Sequence, residues 1–378
     1  MSNEQLTEAV SDQLRDLLAT LEGFDWVGRR LQPAGIGHLV DSLRPMQAPL
    51  AESSARLAAL GWPEHLAEDG ARLERAGHIV LQALESFLGG GDGSATMFDG
   101  SGMLQYYRAL RCRVGAFEEL YPLANVLVPV GRYFLEAAAR DSNLLLQRLA
   151  AGPEDPATHV GFVDVDNGRG TRGGFTLYVP EYYTAERSWP LVVALHGGSG
   201  HGADFVWSWL GEARSRGMIV LSPTAQGDTW SMFSPSLDGG AIEAMVENVS
   251  RRWSVDAERI LLTGMSDGGT FSLIAGFHET SPFTHLAPMC GVLPPLSVEA
   301  RERVAGLPIY LVHGTLDWMF PAEVARMAND ELSRLGAAIT YREIADLSHT
   351  YPREENAAIA DWFGVPLDLP VEGDDEPV

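Results

Sequence analysis

The sequence predicts an α/β chain, a doubly wound and mostly parallel sheet preceded by an all-α N-terminal domain. Three observations predict it. Over residues 1–150, apolar side chains recur at helical spacing with few strand signals. From residue 159 onward, short apolar runs alternate with helical stretches, the pattern of parallel strands joined by crossover helices. Within that second region a strand-like run, Arg259 to Thr263, is followed almost at once by a stretch that can open a helix, Gly269 to Gly276.

In the first region Leu6 to Leu21, Pro63 to Leu88, Tyr106 to Leu120 and Pro122 to Leu149 carry the helical spacing. The last begins with Pro at a helix-starting position, where a missing N–H is tolerated. Gly89 to Gly93 separates two of these helices. No strand precedes it and no Lys follows, so it reads as a connector rather than a phosphate loop. An all-α bundle or hairpin array is expected. Ala151 to Pro156 reads as a linker, which makes residues 1–150 one domain and residues 157–366 another. His159–Asp166 and Gly174–Pro180 read as a hairpin around a Gly/Arg turn. Further strands are expected at 191–195, 217–222, 259–265, 285–290, 308–313 and 338–344. Residues 367–378 form an acidic tail expected to fray.

The chemistry lies in four signals. Gly264-Met265-Ser266-Asp267-Gly268 is a G-x-S-x-G pentapeptide between an apolar strand and a helix start. That context fits a tight turn that lifts a serine hydroxyl to the carboxyl edge of a sheet. The helix N-terminus behind it favours negative charge. Upstream, Leu191 to Leu195 runs into His196-Gly197-Gly198-Ser199-Gly200, a loop of the HGG oxyanion type. Downstream, Pro308 to Val312 leads to Asp317, and a later loop holds His349. The order Ser, acid, His is the one a serine elbow of this kind requires.

In these stretches (LHGGSG at 195–200, RILLTGMSDGG at 259–269, LVHGTLDWMFP at 311–321 and LSHTYP at 347–352) the chain resembles the α/β-hydrolase superfamily. Within it, residues 159–365 are most similar to the phospholipase/carboxylesterase, feruloyl esterase and polyhydroxybutyrate-depolymerase-like group. The resemblance implies Ser266 as nucleophile, His349 as base and Asp317 as acid. It also implies the N–H groups of Gly198 and Asp267 as an oxyanion hole. It does not extend to the first 155 residues.

Other residues compete for these roles. Asp346 stands three residues before His349, but in a loop it reads as a cap or a solvent-facing acid. Asp238 reads as a first-turn acid of a helix. His196 and His313, each before a Gly at a strand end, read as loop-holding residues, and His201 as a loop residue. Trp230, Trp318 and Tyr351, beside the catalytic loops, are expected to line an apolar ester pocket. The histidines show no metal-ligand spacing, and neither a metal nor another cofactor is expected.

Composition narrows the function classes. The net charge is −24, with 51 acidic residues against 27 basic ones, and every basic residue is Arg. A chain without Lys has no Schiff-base lysine, no P-loop lysine and no Ser–Lys dyad. The acidic balance argues against nucleic acid and anionic membranes as partners. The apolar runs are too short to span a membrane, no apolar leader is apparent, and Cys112 and Cys290 read as free reduced thiols. Cytoplasmic residence is expected. The reading that follows is a serine carboxylesterase acting on a small ester. A serine peptidase would use the same residues. A third reading makes the helical region an interaction or homo-oligomerisation module with hydrolysis secondary. With no metal or thiol in the expected site, hydrolysis should survive EDTA and thiol alkylation, measured as turnover of a chromogenic ester. Loss restored by a divalent ion would contradict this.

Overall fold

The computed structural model describes residues 3–89 and 100–370. Most of the glycine-rich connector and residues 371–378 of the expected tail lie outside the described residues. The chain divides into two compact units, Met1–Phe134 and Leu135–Val378.

The N-terminal unit is helical, as its spacing predicts. It holds α1 (Asn3–Arg29), α2 (Ile36–Leu43), α3 (Gln47–Ala58), α4 (Ala67–Gly89), α5 (Gly100–Leu120) and α6 (Val128–Tyr133). Leu14, Leu17, Leu21 and Phe24 form the buried stripe of α1, three or four residues apart. Gln13 interrupts that stripe with a polar contact. Its Oε1 accepts from the hydroxyls of Ser53 and Ser54, each at 3.1 Å. Along α4 and α5, Phe87 meets Tyr106 edge to face at 5.0 Å, and Arg75 forks onto Glu119 with both bonds at 2.9 Å.

The expected helix from Pro122 to Leu149 is not continuous. It resolves into α6 and α7 (Asn143–Ala151), which belong to different units. Pro129 lies in the first turn of α6, and the Ser142 hydroxyl caps α7 by accepting from Leu145 N–H at 3.2 Å. Leu135, Ala139, Leu145 and Leu149 are buried in the core that the sheet builds. Arg216 forks onto Glu136 at 2.6 and 2.8 Å and fixes the start of this segment further. The unit boundary therefore falls at 134/135, ahead of the Pro-rich stretch read as a linker.

The C-terminal unit continues with β1 (Gly161–Val165), β2 (Phe175–Val179), β3 (Trp189–Leu195), α8 (Gly202–Phe205), α9 (Leu210–Arg216) and β4 (Ile219–Pro223). There follow α10 (Ser236–Arg252), β5 (Val255–Met265), α11 (Asp267–Gly276), β6 (His285–Met289) and α12 (Val298–Val304). It closes with β7 (Pro308–Gly314), α13 (Ala322–Arg334), β8 (Ala338–Ile344) and α14 (Asn356–Trp362). One sheet of eight strands runs in the order β1-β2-β4-β3-β5-β6-β7-β8. β2 is antiparallel to both neighbours, and every pairing from β4 to β8 is parallel. Two reversals leave β1 pointing the same way as β4, so seven strands end on one edge of the sheet.

β3 and β4 are buried along their whole length, which is why they read as continuous apolar runs rather than alternating ones. α11 packs on β3, β5 and β6, and α13 on β7 and β8. Leu367 and Leu369 pack against the core, so the expected frayed tail does not begin at residue 367.

Between α9 and α14 lies a polar cluster. Asn356 donates to Ser208 O at 2.7 Å and to Glu212 Oε2 at 3.3 Å, and the Tyr351 hydroxyl donates to Asn356 Oδ1 at 2.8 Å. Burial pushes the Glu212 carboxyl up to about 7; bonds from its own backbone N–H and from Asn356 oppose the shift, Glu136 adds to it and Arg353 lowers it. A folded-state value above the ordinary 4.5 means that the native protein binds the extra proton between those pH values. Stability linked to Glu212 is therefore full below about 4.5 and is lost as pH rises through about 7. The shift corresponds to about 3 kcal/mol. Glu212→Gln should remove this part of the slope and be more stable than the parent at pH 8, measured by urea denaturation across pH. Identical slopes in the two proteins would rule it out.

Candidate active site

The site starts from a backbone turn. Ser266 joins β5 to α11 with φ +58° and ψ −117°, a region that costs a residue with a side chain about 1–3 kcal/mol. The turn is too tight for side chains on either flank. A Cβ on Gly264 would lie 2.5 Å from the backbone of Gly268, and a Cβ on Gly268 would lie 2.4 Å from Leu195 O. Ser266 N–H donates to Met289 O at 2.9 Å, which ties the turn to the neighbouring strand.

The three residues expected from the order of motifs come together. Ser266 Oγ lies 2.9 Å from His349 Nε2, and His349 Nδ1 lies 2.8 Å from Asp317 Oδ2. All three side chains are buried. The second carboxylate oxygen of Asp317 accepts from the backbone N–H groups of Met319 at 3.0 Å and Phe320 at 2.8 Å. Burial alone would raise the Asp317 carboxyl, but the hydrogen bond and charge of His349 and the Phe320 N–H hold it below the usual carboxylate range. The Asp317 carboxylate is thus charged and fixed, and it holds the His349 ring through Nδ1 with Nε2 turned to Ser266 Oγ.

Gly198 faces Asp267 across the elbow. A Cβ on Gly198 would lie 2.8 Å from Asp267 Oδ2. Asp267 is the first residue of α11, where an N–H has no partner within the helix. The Asp267 carboxylate turns aside to accept from the Thr229 hydroxyl at 2.5 Å. His196 holds the loop carrying Gly198: its Nδ1–H donates to Gly197 O at 2.7 Å and its Nε2 accepts from Ala225 N–H at 3.1 Å. Asp238 holds the loop after β4, accepting from Gln226 N–H at 3.0 Å and Ser231 N–H at 2.8 Å.

The aromatic residues expected to line a pocket separate. Trp230 is 2% exposed, stacks on Phe271 at 5.4 Å and donates from Nε1 to His196 O at 2.7 Å. It is a core brace of the oxyanion-type loop, because the helix after the elbow and the His196 ring enclose it. Tyr351 meets Phe205 edge to face at 5.1 Å, and its hydroxyl is committed to Asn356. Trp318 is half-buried beside the acid, with its indole N–H unpartnered among the described residues.

Four further residues surround this group. Phe320 sets its ring edge to face with His349 at 5.3 Å, and Thr229 anchors the Asp267 carboxylate. His313 donates from Nε2 to Phe320 O at 2.8 Å and stands 3.4 Å from Asp317 Oδ2. Cys290 lies with His313 and Asp317 in a tight buried group of the kind that can ligate a metal. Burial pushes its thiol far up, and His313 and Asp317 are engaged with Phe320 and His349. His313 holds its loop, as its place before Gly314 predicts; of the rest, Thr229 had no signal in the sequence, because its contact joins distant segments.

Residues 239–364 match a family model described as phospholipase/carboxylesterase. Among curated proteins, the chain is 25% identical over 112 residues to acyl-protein thioesterase 1 homolog 2 of Dictyostelium discoideum, covering 29% of this chain and 50% of that one. It is 26% identical over 186 residues to the bifunctional acetylxylan esterase/xylanase XynS20E of Neocallimastix patriciarum, covering 46% and 26%. The chain thus spans half or less of the length of these relatives. Among solved structures it is similar to a thermostable esterase, with TM-score 0.44, 22% identity, and coverage of 54% of this chain and 62% of that one. A phospholipase/carboxylesterase from Dyadobacter fermentans gives TM-score 0.41, 15% identity, and coverage of 55% and 99%. The mostly parallel eight-stranded sheet of the C-terminal unit matches an α/β-hydrolase fold, and its residues 239–364 are similar to the phospholipase/carboxylesterase model.

Proposed function

We propose that the protein hydrolyses carboxylic esters through an acyl-enzyme on Ser266. The observation that carries this reading is the continuous hydrogen-bonded path Ser266 Oγ–His349–Asp317, at 2.9 and 2.8 Å. A serine hydroxyl is a weak nucleophile until a base takes its proton, and His349 Nε2 is within reach to do so. Oγ attacks the ester carbonyl as the proton moves to Nε2. Asp317 stabilises the resulting imidazolium through Nδ1. The carbonyl oxygen, now carrying the charge, meets the N–H groups of Gly198 and Asp267 at the start of α11. His349 then returns the proton to the leaving alcohol. Water then attacks the acyl carbon as it gives a proton to the same nitrogen; the bond to Ser266 Oγ breaks, that oxygen takes the proton back, and the acid leaves. The esterase and thioesterase names of the relatives support an acyl group transferred from oxygen or sulfur.

Every group in this path lies in the C-terminal unit. Ser266→Ala should abolish turnover of short p-nitrophenyl esters while the circular dichroism spectrum is unchanged. A fluorophosphonate should label Ser266 in the parent; labelling at any other serine would overturn the assignment. Asp317→Asn should lower kcat about 10⁴-fold, because an amide there favours the wrong imidazole tautomer. Asp346→Asn should leave kcat close to the parent value. Steady-state kinetics of both variants decide the point, and an exchange of the two effects would make Asp346 the acid.

A further inference from the structure

The Gly/Arg turn between β1 and β2 has no place in the proton path, yet it is bonded into the oxyanion side of the site. Arg172 Nη1 donates to Gly200 O at 2.6 Å, and Nη2 donates to Gly227 O. These carbonyls belong to different loops. Gly200 lies two residues past Gly198. Gly227 lies two residues before Thr229, whose hydroxyl holds the Asp267 carboxylate. One planar guanidinium therefore joins the loop that carries Gly198 to the loop whose Thr229 holds the Asp267 side chain. Ser199 N–H donates to Asp228 O at 2.8 Å and closes the same junction from the other side.

Among the described residues, the acceptors bonded to the Arg172 guanidinium are both backbone carbonyls, and its Nε is buried without a partner. The fork holds backbone carbonyls, a geometry that an ammonium cannot reproduce. The base of the clamp is rigid. Thr224 Oγ1 donates to Asn167 Oδ1 at 2.6 Å and accepts from Gly202 N–H at 2.9 Å, while Thr224 N–H donates to Gly174 O at 2.8 Å. His201 Nε2–H donates to Thr171 O at 3.1 Å, one residue from the clamp.

We propose that Arg172 is a positioning residue that sets the loop of Gly198 against the elbow at the spacing an oxyanion hole needs. This rests on the acyl-transfer reading above. Donors aimed at developing charge act in the transition state far more than in substrate binding, so a misplaced hole lowers kcat and leaves KM nearly unchanged.

The test is steady-state kinetics of the full chain on p-nitrophenyl acetate. Arg172→Ala should lower kcat about 100-fold with KM little changed. Millimolar methylguanidinium should restore much of that loss in Arg172→Ala and none in Ser266→Ala. Arg172→Lys should fall between parent and Arg172→Ala, since it keeps the charge and loses the fork. An unchanged kcat in Arg172→Ala overturns the proposal. So does a loss that methylguanidinium leaves untouched in a variant that melts like the parent. If Arg172→Ala does not fold, Arg172→Lys decides: reduced kcat at constant KM supports the role and full activity overturns it. Fluorophosphonate labelling of Ser266 separates the two readings. Failure to label the parent overturns the serine reading and this one with it; normal labelling with full activity in Arg172→Ala overturns only the clamp.

Discussion

Ser266 sits at a left-handed backbone position between two glycines whose missing Cβ atoms would strike carbonyls of the turn and of β3. That turn decides where the rest of the unit must be. It points Oγ off the carboxyl edge of the sheet, so a base can reach it only from a loop at the same edge. β7 and the chain beyond β8 supply that edge with Asp317 and His349, because parallel strands all end there. It also starts α11 immediately, which leaves the Asp267 N–H free at the point where the loop after β3 passes. The parallel sheet, the short crossovers and the buried strands thus hold the loops of Ser266 and Asp317 each within hydrogen-bond distance of His349.

Much of this was legible in the sequence because it depends on local signals. The strand at 338–344 and the elbow at Ser266 follow from apolar runs and from glycines whose positions have a backbone reason. Asp317 and His349 follow from chain order. What was not legible depends on packing. The break between Tyr133 and Asn143 has the same apolar spacing as a helix, and only the burial of Leu135, Leu145 and Leu149 under the sheet shows that the segment changes units. Trp230 looks like a pocket residue by position, but its indole N–H turns inward to His196 O. Arg172 stood in a turn that read only as a hairpin loop, because the carbonyls it holds are 28 and 55 residues away.

The chain's exclusive use of Arg has a structural counterpart. Its buried cations are fork-shaped and bridge several acceptors at once. Arg216 spans Glu136, Asp361 and Val365 O, and Arg214 pairs with Glu181 while 1% exposed. A guanidinium satisfies separated oxygens in one plane, whereas a lysine in the same place would leave acceptors unmet in a dry interior. The surface pairs, such as Arg15 with Asp12, are exposed and contribute little beside these.

Backbone strain follows the same geography. Among the described residues, the non-glycine positions with positive φ are Asp166, Ser199, Ser266 and Cys290. Each lies just beyond the carboxyl end of a strand: β1, β3, β5 and β6 in turn. Those four strands end at one edge of the sheet, the edge that carries Ser266, Asp317 and His349. A strained residue persists only where neighbours over-determine it. Here they do: Ser266 is tied to Met289 O, Cys290 to Val312 O, and Ser199 to Asp228 O. Asp166 O lies so close to Gly174 that a Cβ there would approach it to 2.2 Å. Each strained residue is thus fixed by a segment distant in sequence, and the bonds that relieve one loop place the next. The hairpin clamp belongs to this chain of constraints, because Arg172 leaves the same turn that Asp166 begins. The geometry around Ser266, Asp317 and His349 is a property of the whole edge rather than of those three side chains, and it reaches back to the first hairpin of the unit.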